Sequence, residues 1–582
     1  MTDQATADKG ARFLLGLAAV AIAFAAADTY VVVLALPDMM SAVGLDIDQL
    51  QRAAPIVSGF LLGYVGILPL IGRISDLRGR IPVLLGSLVV FALGSIITAA
   101  AYNLDSMVVG RFIQGIGGGG LIPPTFALVA DLWPPKRRGL PLGIVGAVQE
   151  LGSVLGPLYG AVVLTFGDWR DIFWLNCAVG FVLAAVMLQM RGGAPLEPVS
   201  VQLRSERRSG RFDWPGAVLL GLFFIGVALV MLEPRSLATG VTSGLAFLPV
   251  TGGSRWMTPL ALTVLGIGLL FVARQYLARR SLLDWRGWGA ISRETDLWGA
   301  LLMGAALGGI VVTFASADPE SHILSEQAIW LLPLSAAAGI GFVWRQKVAR
   351  HPLIPRGALS ARPAYGALLV SFFVGASLIA ALVDIPFFAR ITVYRDSQLD
   401  AALVLVRFLI ALPIGAVVGG WLLRKFSAAL LTPIAMAMSA AAFFHMATWD
   451  KNALNDPYET VSLIVAGLGF GLAIAPVNAV LLEHTADAVH GVASGLLIVA
   501  RMVGMLIGIS ALTTIGLRQF YSASAAIPEV TELCDGSTKA CAAYRDAILG
   551  AGLAQLHAVF VGAAVCALIA GALAALLLRA KR

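Results

Sequence analysis

Long apolar runs, separated by short polar segments rich in arginine, account for most of the chain. The first half has such runs at 12–36, 53–72, 81–101, 106–130, 140–166 and 172–190. The second half has them at 364–389, 401–423, 428–447, 460–482, 491–517 and 556–578, and four more lie between the halves at 214–232, 257–273, 297–316 and 328–344. A helix of about 20 residues crosses the ~30 Å hydrocarbon core of a bilayer. The pattern therefore predicts an all-α polytopic membrane protein with two six-helix sets, a four-helix insert and sixteen spans in total. The expected domains are an N-terminal bundle at 1–191, a linker with inserted helices at 192–363, and a C-terminal bundle at 364–582. The polar stretch 192–213 reads as a cytoplasmic linker, and 518–555 as the longest extracytoplasmic loop, folding locally.

The basic residues sort by side. Clusters around Arg73/Arg78/Arg80, Lys136/Arg137/Arg138, Arg204–Arg211, Arg274/Arg279/Arg280, Lys347–Arg362, Arg424/Lys425 and the 579–582 tail are separated from one another by even numbers of spans. All lie on one face, which the positive-inside rule assigns to the cytoplasm, and both termini follow. The formal charge of +7 is thus a loop property and gives no reason to expect nucleic acid. A chain of 582 residues that is 58% hydrophobic and 13% charged has too much apolar surface to be soluble. The first run is longer than a signal-peptide core and reads as a retained helix. Arginine far outnumbers lysine, and Ala and Gly are abundant, which suggests a GC-rich bacterial genome and hence the bacterial inner membrane.

Enzyme chemistry finds little support. No Gly-Lys dipeptide occurs, so there is no phosphate-binding loop for a nucleotide motor. The six histidines have no zinc-hydrolase spacing and the cysteines no metal-ligand spacing. No cofactor and no metal are expected, and the Gly117–Gly120 run reads as a packing or bending feature. Cys177 and Cys566 fall in apolar runs. Cys534 and Cys541 share one polar loop, and a disulfide between them is open if that loop is extracytoplasmic.

The charges inside the apolar runs carry the functional signal, because a buried ionisable group in a membrane is costly. They are Asp28, Arg111 (with Gln114 on the same side of its helix), Glu150, Asp384, Arg407 and Arg501. In the run 140–166, Gly152, Gly156 and Gly160 stand at roughly 200°, 240° and 280° around the helix from Glu150. That helix has a small-residue packing face and a separate charged face. One reading of the charges is buried ion pairs that fix helix register. The other is a proton relay. Desolvation favours the neutral carboxyl and a nearby guanidinium favours the charged one. A helix movement that makes or breaks such a contact then changes the affinity for a proton.

Several motifs resemble the major facilitator superfamily. Gly72-Arg73-Ile74-Ser75-Asp76-Leu77-Arg78-Gly79-Arg80 is similar to its signature between helices 2 and 3, with Leu77 and Ile81 at positions where the family is basic. Arg111-Phe112-Ile113-Gln114-Gly115 resembles its helix-4 motif. Gly152-x-x-x-Gly156-Pro157-x-x-Gly160 resembles the mark of its antiporters. Asp28-Thr29-Tyr30-Val31-Val32-Val33 and Gly491-Val492-Ala493-Ser494-Gly495 followed by Arg501 resemble the drug:proton antiporter branch, which carries two inserted helices where four are counted here. Within that branch the pattern is most similar to the triacylglyceride exporters of mycobacteria, which are also described as multidrug efflux pumps.

The resemblance implies a non-enzymatic, proton-coupled exporter working by alternating access. Asp28 and Glu150 would respond to protons, with Arg111 and Arg501 as charge partners. Tyr30, Val33, Gln114 and Ile498 would line the cavity, and Gly72, Asp76, Arg78, Gly79 and Arg80 would form the inner gate. Gly152, Gly156, Pro157 and Gly160 would pack at the contact between bundles. Tyr30, Val33 and Ile498 replace polar family residues, and this shifts the expected substrate toward an apolar lipid such as triacylglyceride, moved outward. A lipid-carrying lipoprotein outside the membrane is the implied partner. The alternatives are a broad-specificity drug:proton antiporter and, more remotely, a non-transporting scaffold or sensor.

Overall fold

The computed structural model describes residues 2–45, 50–190, 213–240, 242–251, 254–278, 294–315, 327–394, 397–534 and 541–579. Nearly all of this is helical. The N-terminal set comprises α1 (Thr2–Ala42), α2 (Leu50–Arg78), α3 (Arg80–Ala99), α4 (Leu104–Gly119), α5 (Ile122–Leu132), α6 (Gly139–Phe166) and α7 (Trp169–Met190). The insert is α8 (Trp214–Leu232), α9 (Pro259–Leu277), α10 (Leu297–Ala315) and α11 (Ala328–Val348). The C-terminal set is α12 (Arg362–Ile391), α13 (Gln398–Leu422), α14 (Ala428–Met446), α15 (Glu459–Glu483), α16 (His490–Ser524) and α17 (Ala542–Leu577). Among the described residues, fourteen helical stretches are long and apolar enough to cross a membrane. The shorter apolar helices Phe13–Thr29 and Leu297–Thr313 complete the sixteen read from the sequence. Below, "basic end" means the end with the arginine-rich loops and "far end" the opposite one.

The fourth span is two helices. Asn103 starts it with a reciprocal capping box, its side chain accepting from the Ser106 N–H at 3.0 Å. The glycine run then ends α4, and Pro123 and Pro124 open α5. Gly117 and Gly119 lie against the backbones of Phe91 and Tyr64, so the run both breaks the span and lets α2 and α3 approach it.

Two expectations need correction. The segment 518–555 is mostly helix: α16 continues to Ser524 and α17 starts at Ala542. These helices have 35 and 36 residues. At 1.5 Å per residue each is about 50 Å long and outreaches the ~30 Å core, so their far ends leave the apolar layer as helix. Their polar residues exposed at the far end are what made the stretch look like a loop. Cys534 and Cys541, joined as a disulfide with Cα atoms 5.6 Å apart, staple the connection between them. The linker 192–213 lies outside the described residues except for Asp213.

The second correction concerns the glycines of α6. A Cβ on Gly152 would strike the backbone of Ala23, and one on Gly156 the backbone of Ala27. This stripe packs α6 onto α1 inside the N-terminal bundle rather than at the contact between bundles. Gly160 is buried as well, and the Pro157 side chain lies outside the described residues. The inter-bundle contact is made by a second set of glycines on the same helix. Gly139 and Gly143 meet Gly420 and Ala416 of α13, and Gly146 meets Ile474 of α15. These three stand within roughly 40° of Glu150, on its own face of α6.

The insert is one hairpin used twice. Asp213-Trp-Pro-Gly216-Ala-Val-Leu-Leu-Gly221 opens α8, and Asp296-Leu-Trp-Gly299-Ala-Leu-Leu-Met-Gly304 opens α10. Phe271-Val-Ala-Arg274-Gln275 closes α9, and Phe342-Val-Trp-Arg345-Gln346 closes α11. The clasps match too. Asp213 Oδ1 accepts from Gly216 N at 3.1 Å and Arg274 Nη2 at 2.7 Å, while Asp296 Oδ1 accepts from Gly299 N at 3.0 Å and Arg345 Nε at 2.9 Å. In each copy one carboxylate caps the first helix and ties it to the end of the second. The doubling explains why four inserted helices are present where the resemblance leads one to expect two.

A leucine at Gly152 would have to push α6 off α1 at a backbone contact and is expected to cost about 1–3 kcal/mol or more. Gly221 of α8 has open space where a Cβ would go. Thermal unfolding in detergent should show a clearly lowered midpoint for Gly152→Leu and none for Gly221→Leu.

Candidate functional site

Three charged assemblies sit along the axis of the molecule. The first is sealed inside the N-terminal bundle. Arg111 Nη1 donates to Asp28 Oδ2 at 2.5 Å and to Gln114 Oε1 at 2.6 Å. Gln114 Nε2 donates to Asp28 Oδ1 and to Ser95 Oγ, both at 3.0 Å, and Asn176 Nδ2 donates to Asp28 Oδ1 at 2.5 Å. The guanidinium lies 4.3 Å from the centre of the Phe60 ring, and its Nε reaches the Ile56 carbonyl at 3.4 Å. Asp28, Arg111, Gln114, Asn176 and Ser95 are all buried. Both carboxylate oxygens are occupied and the charge is neutralised, which is the condition for an ion to persist in a low-dielectric interior. The network ties α1 to α4 and α7. It extends toward α6 through Tyr159, whose hydroxyl donates to the Ile172 carbonyl at 2.9 Å and lies 3.3 Å from Asn176 Oδ1.

The second assembly crosses between bundles. Glu150 on α6 accepts one hydrogen bond, at 3.4 Å, from Arg501 Nη1 on α16. No other side-chain partner is found for Glu150 among the described residues. The two side chains are 12% and 11% exposed, against 0% and 1% for Asp28 and Arg111. The difference decides which pair can switch. Asp28 is saturated by three donated bonds from three side chains, whereas Glu150 has one long contact and is not fully enclosed. The backbone brings the second pair together. Gly139, Gly143 and Gly146 let α6 approach the other bundle, and Gly375 of α12 seats the Arg501 backbone by accepting its carbonyl where a Cβ would stand.

The third assembly closes the basic end. Asp76, at the end of α2, accepts from the backbone N–H groups of Gly491 at 2.8 Å and Val492 at 3.0 Å, the first turn of α16. A carboxylate at a helix N-terminus satisfies donors that have no partner within the helix and meets the positive end of its dipole. Arg80 pairs with Asp76 and, through Nε, with Asp131 Oδ2 at 3.0 Å. Gly79 has φ +94°, a conformation that favours glycine, and it turns the chain so that Arg80 folds back onto Asp76. Gly72 and Gly491 stand backbone to backbone, and Gly495 rests on Leu68. With Gly139, Gly143 and Gly420, these contacts join the bundles at the basic end.

Some residues singled out in the sequence take other places. Gln114 belongs to the sealed network, not to a cavity wall. Ile498 is 3% exposed and packs with Leu68 and Val499 where the bundles meet. The side chains of Tyr30 and Val33 lie outside the described residues. Asp28 and Glu150 share no partner here, so they do not form one two-carboxylate site: α1 turns Asp28 into its own bundle, while Glu150 faces the other. Arg407 donates to Thr460 Oγ1 at 2.9 Å. Asn176, Ser95 and Tyr159 were missed as site residues. For Asn176 the available signal was a lone amide in the apolar run 172–190.

A family model described as "Major Facilitator Superfamily" matches residues 18–345. The chain is 33% identical over 521 residues to a triacylglyceride transporter of Mycobacteroides abscessus, covering 87% of this chain and 82% of that protein. It is 34% identical over 511 residues to one of Mycolicibacterium hassiacum, covering 86% and 78%. It is 33% identical over 557 residues to one of Mycobacterium tuberculosis, covering 92% and 90%. A solved structure of a human organic anion transporter aligns over 97% of this chain and 99% of its own, with a TM-score of 0.52 and 14% identity, which speaks to the fold alone.

Two outcomes follow. Asp28→Asn leaves Arg111 as a buried uncompensated charge, a loss of about 3–5 kcal/mol. Thermal unfolding should show a large drop that the double variant Asp28→Asn/Arg111→Gln partly restores. Asp76→Ala removes two charge-assisted bonds of about 1.5–3 kcal/mol each. It should raise labelling of Val492→Cys by a water-soluble maleimide applied at the basic end at least about tenfold.

Proposed function

This chain belongs to the major facilitator superfamily and is a multi-pass membrane transporter, and from that premise we propose that it is a proton-coupled exporter of triacylglyceride or a similar apolar lipid across the bacterial inner membrane. The observation that carries the reading is the Glu150–Arg501 pair: a carboxylate and a guanidinium on opposite bundles, joined by one hydrogen bond and less tightly enclosed than Asp28 and Arg111. While Glu150 is ionised, the pair holds α6 to α16. When Glu150 takes a proton the attraction is lost, and the bundles can separate there and reseal elsewhere. A rocking motion around a central site is the usual form of such exchange. Asp28 and Arg111 hold the N-terminal bundle rigid as it moves, with Tyr159 linking that network to the moving helix.

The basic end is assigned to the cytoplasm, with both termini, because lysine and arginine accumulate in its loops. On that assignment the Asp76 latch closes the cytoplasmic end. The lipid substrate is supported by the triacylglyceride transporters that are about one third identical along most of the chain. Such cargo does not dissolve in water, so outward release calls for an acceptor, and an extracytoplasmic lipid-carrying lipoprotein is the expected kind. No bound cofactor enters the scheme, as the proton gradient supplies the energy.

One observation favours a second reading. Asp384 on α12 is a partly buried carboxylate in a span with no partner among the described residues. A free carboxylate at that depth suits an amphipathic cation, the cargo of a drug:proton antiporter.

Reconstituted into vesicles with an imposed pH gradient, the intact chain should move labelled triacylglycerol faster than without the gradient. Glu150→Gln should remove the acceleration, a loss of at least about tenfold, while leaving the protein folded. Ethidium movement that exceeds lipid movement and is abolished by Asp384→Asn would favour the drug reading. Gradient-driven lipid transport by Glu150→Gln at the normal rate would overturn the coupling.

A further inference from the structure

The two inserted hairpins share a plan, so the positions where they differ stand out against a common backbone. Phe271-Val272-Ala273-Arg274-Gln275-Tyr276 of α9 matches Phe342-Val343-Trp344-Arg345-Gln346-Lys347 of α11. In both, the arginine is engaged in the clasp, Arg274 with Asp213 and Arg345 with Asp296. The same register sets Leu265 against Ala336 and Gly268 against Gly339. On the first helices of the hairpins, Phe223 of α8 matches Ala306 of α10.

These differences open a groove in one copy only. Ala336, Gly339, Ile340, Val343, Trp344 and Lys347 line an open groove of about 520 Å³ on α11. They fall within a sector of roughly 140° on that helix. At Gly339 a Cβ would meet only Ala306 of α10, at 4.0 Å. The matching Gly268 has no such room, because Phe223 of α8 lies 2.8 Å from where its Cβ would stand. A phenylalanine ring thus fills the cleft in the first hairpin, and alanine leaves it open in the second. The walls on α11 are apolar and outward, with Ile340 71% and Trp344 63% exposed.

The groove has a polarity as well. From Ala336 to Lys347 it runs about 16 Å along the helix, half of the ~30 Å hydrocarbon core and hence one leaflet. Its end is the basic end. Lys347 and Arg350 are exposed there. Arg356 Nη2 donates to the carbonyls of Lys347 at 2.7 Å and Ala349 at 3.3 Å, which folds the following chain back and adds a third cation. Among the described residues no acidic side chain pairs with any of the three. Trp344, one turn inside Lys347, stands where an aromatic ring meets the headgroup layer.

We propose that this groove on α11 binds one anionic phospholipid of the leaflet at the basic end, with an acyl chain along Ala336–Trp344 and the phosphate at Lys347 and Arg350. Basic side chains at the membrane surface attract anionic headgroups. A triacylglycerol has no charge for these cations to meet, so the occupant is a bilayer lipid and not the cargo. The site is independent of the lipid-export reading and of proton coupling. Its place in the fold gives it a use. The α10–α11 hairpin touches both bundles, through Gly308 against Leu62 of α2 and through Leu307, which joins the core that contains Ile498 and Val499 of α16. The acyl chain fills the cleft that Phe223 fills in the other hairpin.

The test uses the full chain in nanodiscs of phosphatidylcholine doped with a low fraction of phosphatidylglycerol that carries a diazirine on an acyl chain, irradiated and mapped by mass spectrometry. Adducts on residues 336–347 should exceed those on the matching residues 265–276 at least about tenfold. The same diazirine on phosphatidylcholine should label 336–347 far less. Lys347→Gln and Arg350→Gln should each weaken labelling about fivefold. Ala336→Leu, which gives α11 the residue of its counterpart, should cut adducts on 339–347 at least about tenfold. Ala336, Lys347 and Arg350 are exposed, so the thermal midpoint should not change in these variants. Equal labelling by the two headgroups, equal labelling of α9 and α11, or undiminished labelling of Ala336→Leu would overturn the site. Stronger labelling of 336–347 by a diazirine triacylglycerol would also overturn it, by assigning the groove to the cargo.

Discussion

One hydrogen-bonded charge pair, Glu150 with Arg501, holds opposite bundles together in a seam where water is scarce, and much of the surrounding structure exists to make that contact available. A carboxylate in such a place needs its guanidinium, and the guanidinium needs the carboxylate. Neither can be spared while both are charged. Adding a proton to one changes the balance without breaking a covalent bond or moving any large group first. The glycines at 139, 143 and 146 allow the helices to come close enough, and Gly375 holds the Arg501 backbone from behind. The Asp28–Arg111 network provides the opposite property. Its bonds tie α1 to α4 and α7 through a fully occupied carboxylate.

The spans were legible in the sequence because bilayer thickness and the cost of buried charge act on every residue of a run. The latch was legible through its resemblance, although Leu77 and Ile81 depart from the family pattern. Less legible was which glycine stripe meets which helix. Two stripes occupy α6, and only the stripe at 152–160 matched a motif. The stripe at 139–146 shares the face of Glu150, so helical angle alone held the information. The direction in which Asp28 faces was illegible for a related reason. A charge in a span can face its own bundle or the seam, and the sequence shows depth but not azimuth until the partners Gln114, Ser95 and Asn176 are assembled around it. The far ends of α16 and α17 read as loop because a helix that leaves the apolar layer has ordinary polar residues.

The duplicated hairpin shows how a local rule can serve two global positions. Each copy is closed by an aspartate that caps one helix and binds the arginine at the end of the other, so each is stable as a unit whatever it docks against. Docking is then set by small residues. Gly308 admits Leu62 of α2, whereas α8 meets α3 and α7 through Phe224 and Ala228.

On the proposed coupling, protonation of Glu150 sets the relative tilt of the bundles. Spin labels at the exposed far-end positions Phe166, the last residue of α6, and Tyr458, before α15, report their separation directly. Distances measured by double electron–electron resonance in lipid should shift between two populations as pH is moved from about 8 to about 5. Glu150→Gln should be locked at the low-pH distribution at every pH. A pH-dependent shift that persists unchanged in Glu150→Gln would contradict the account.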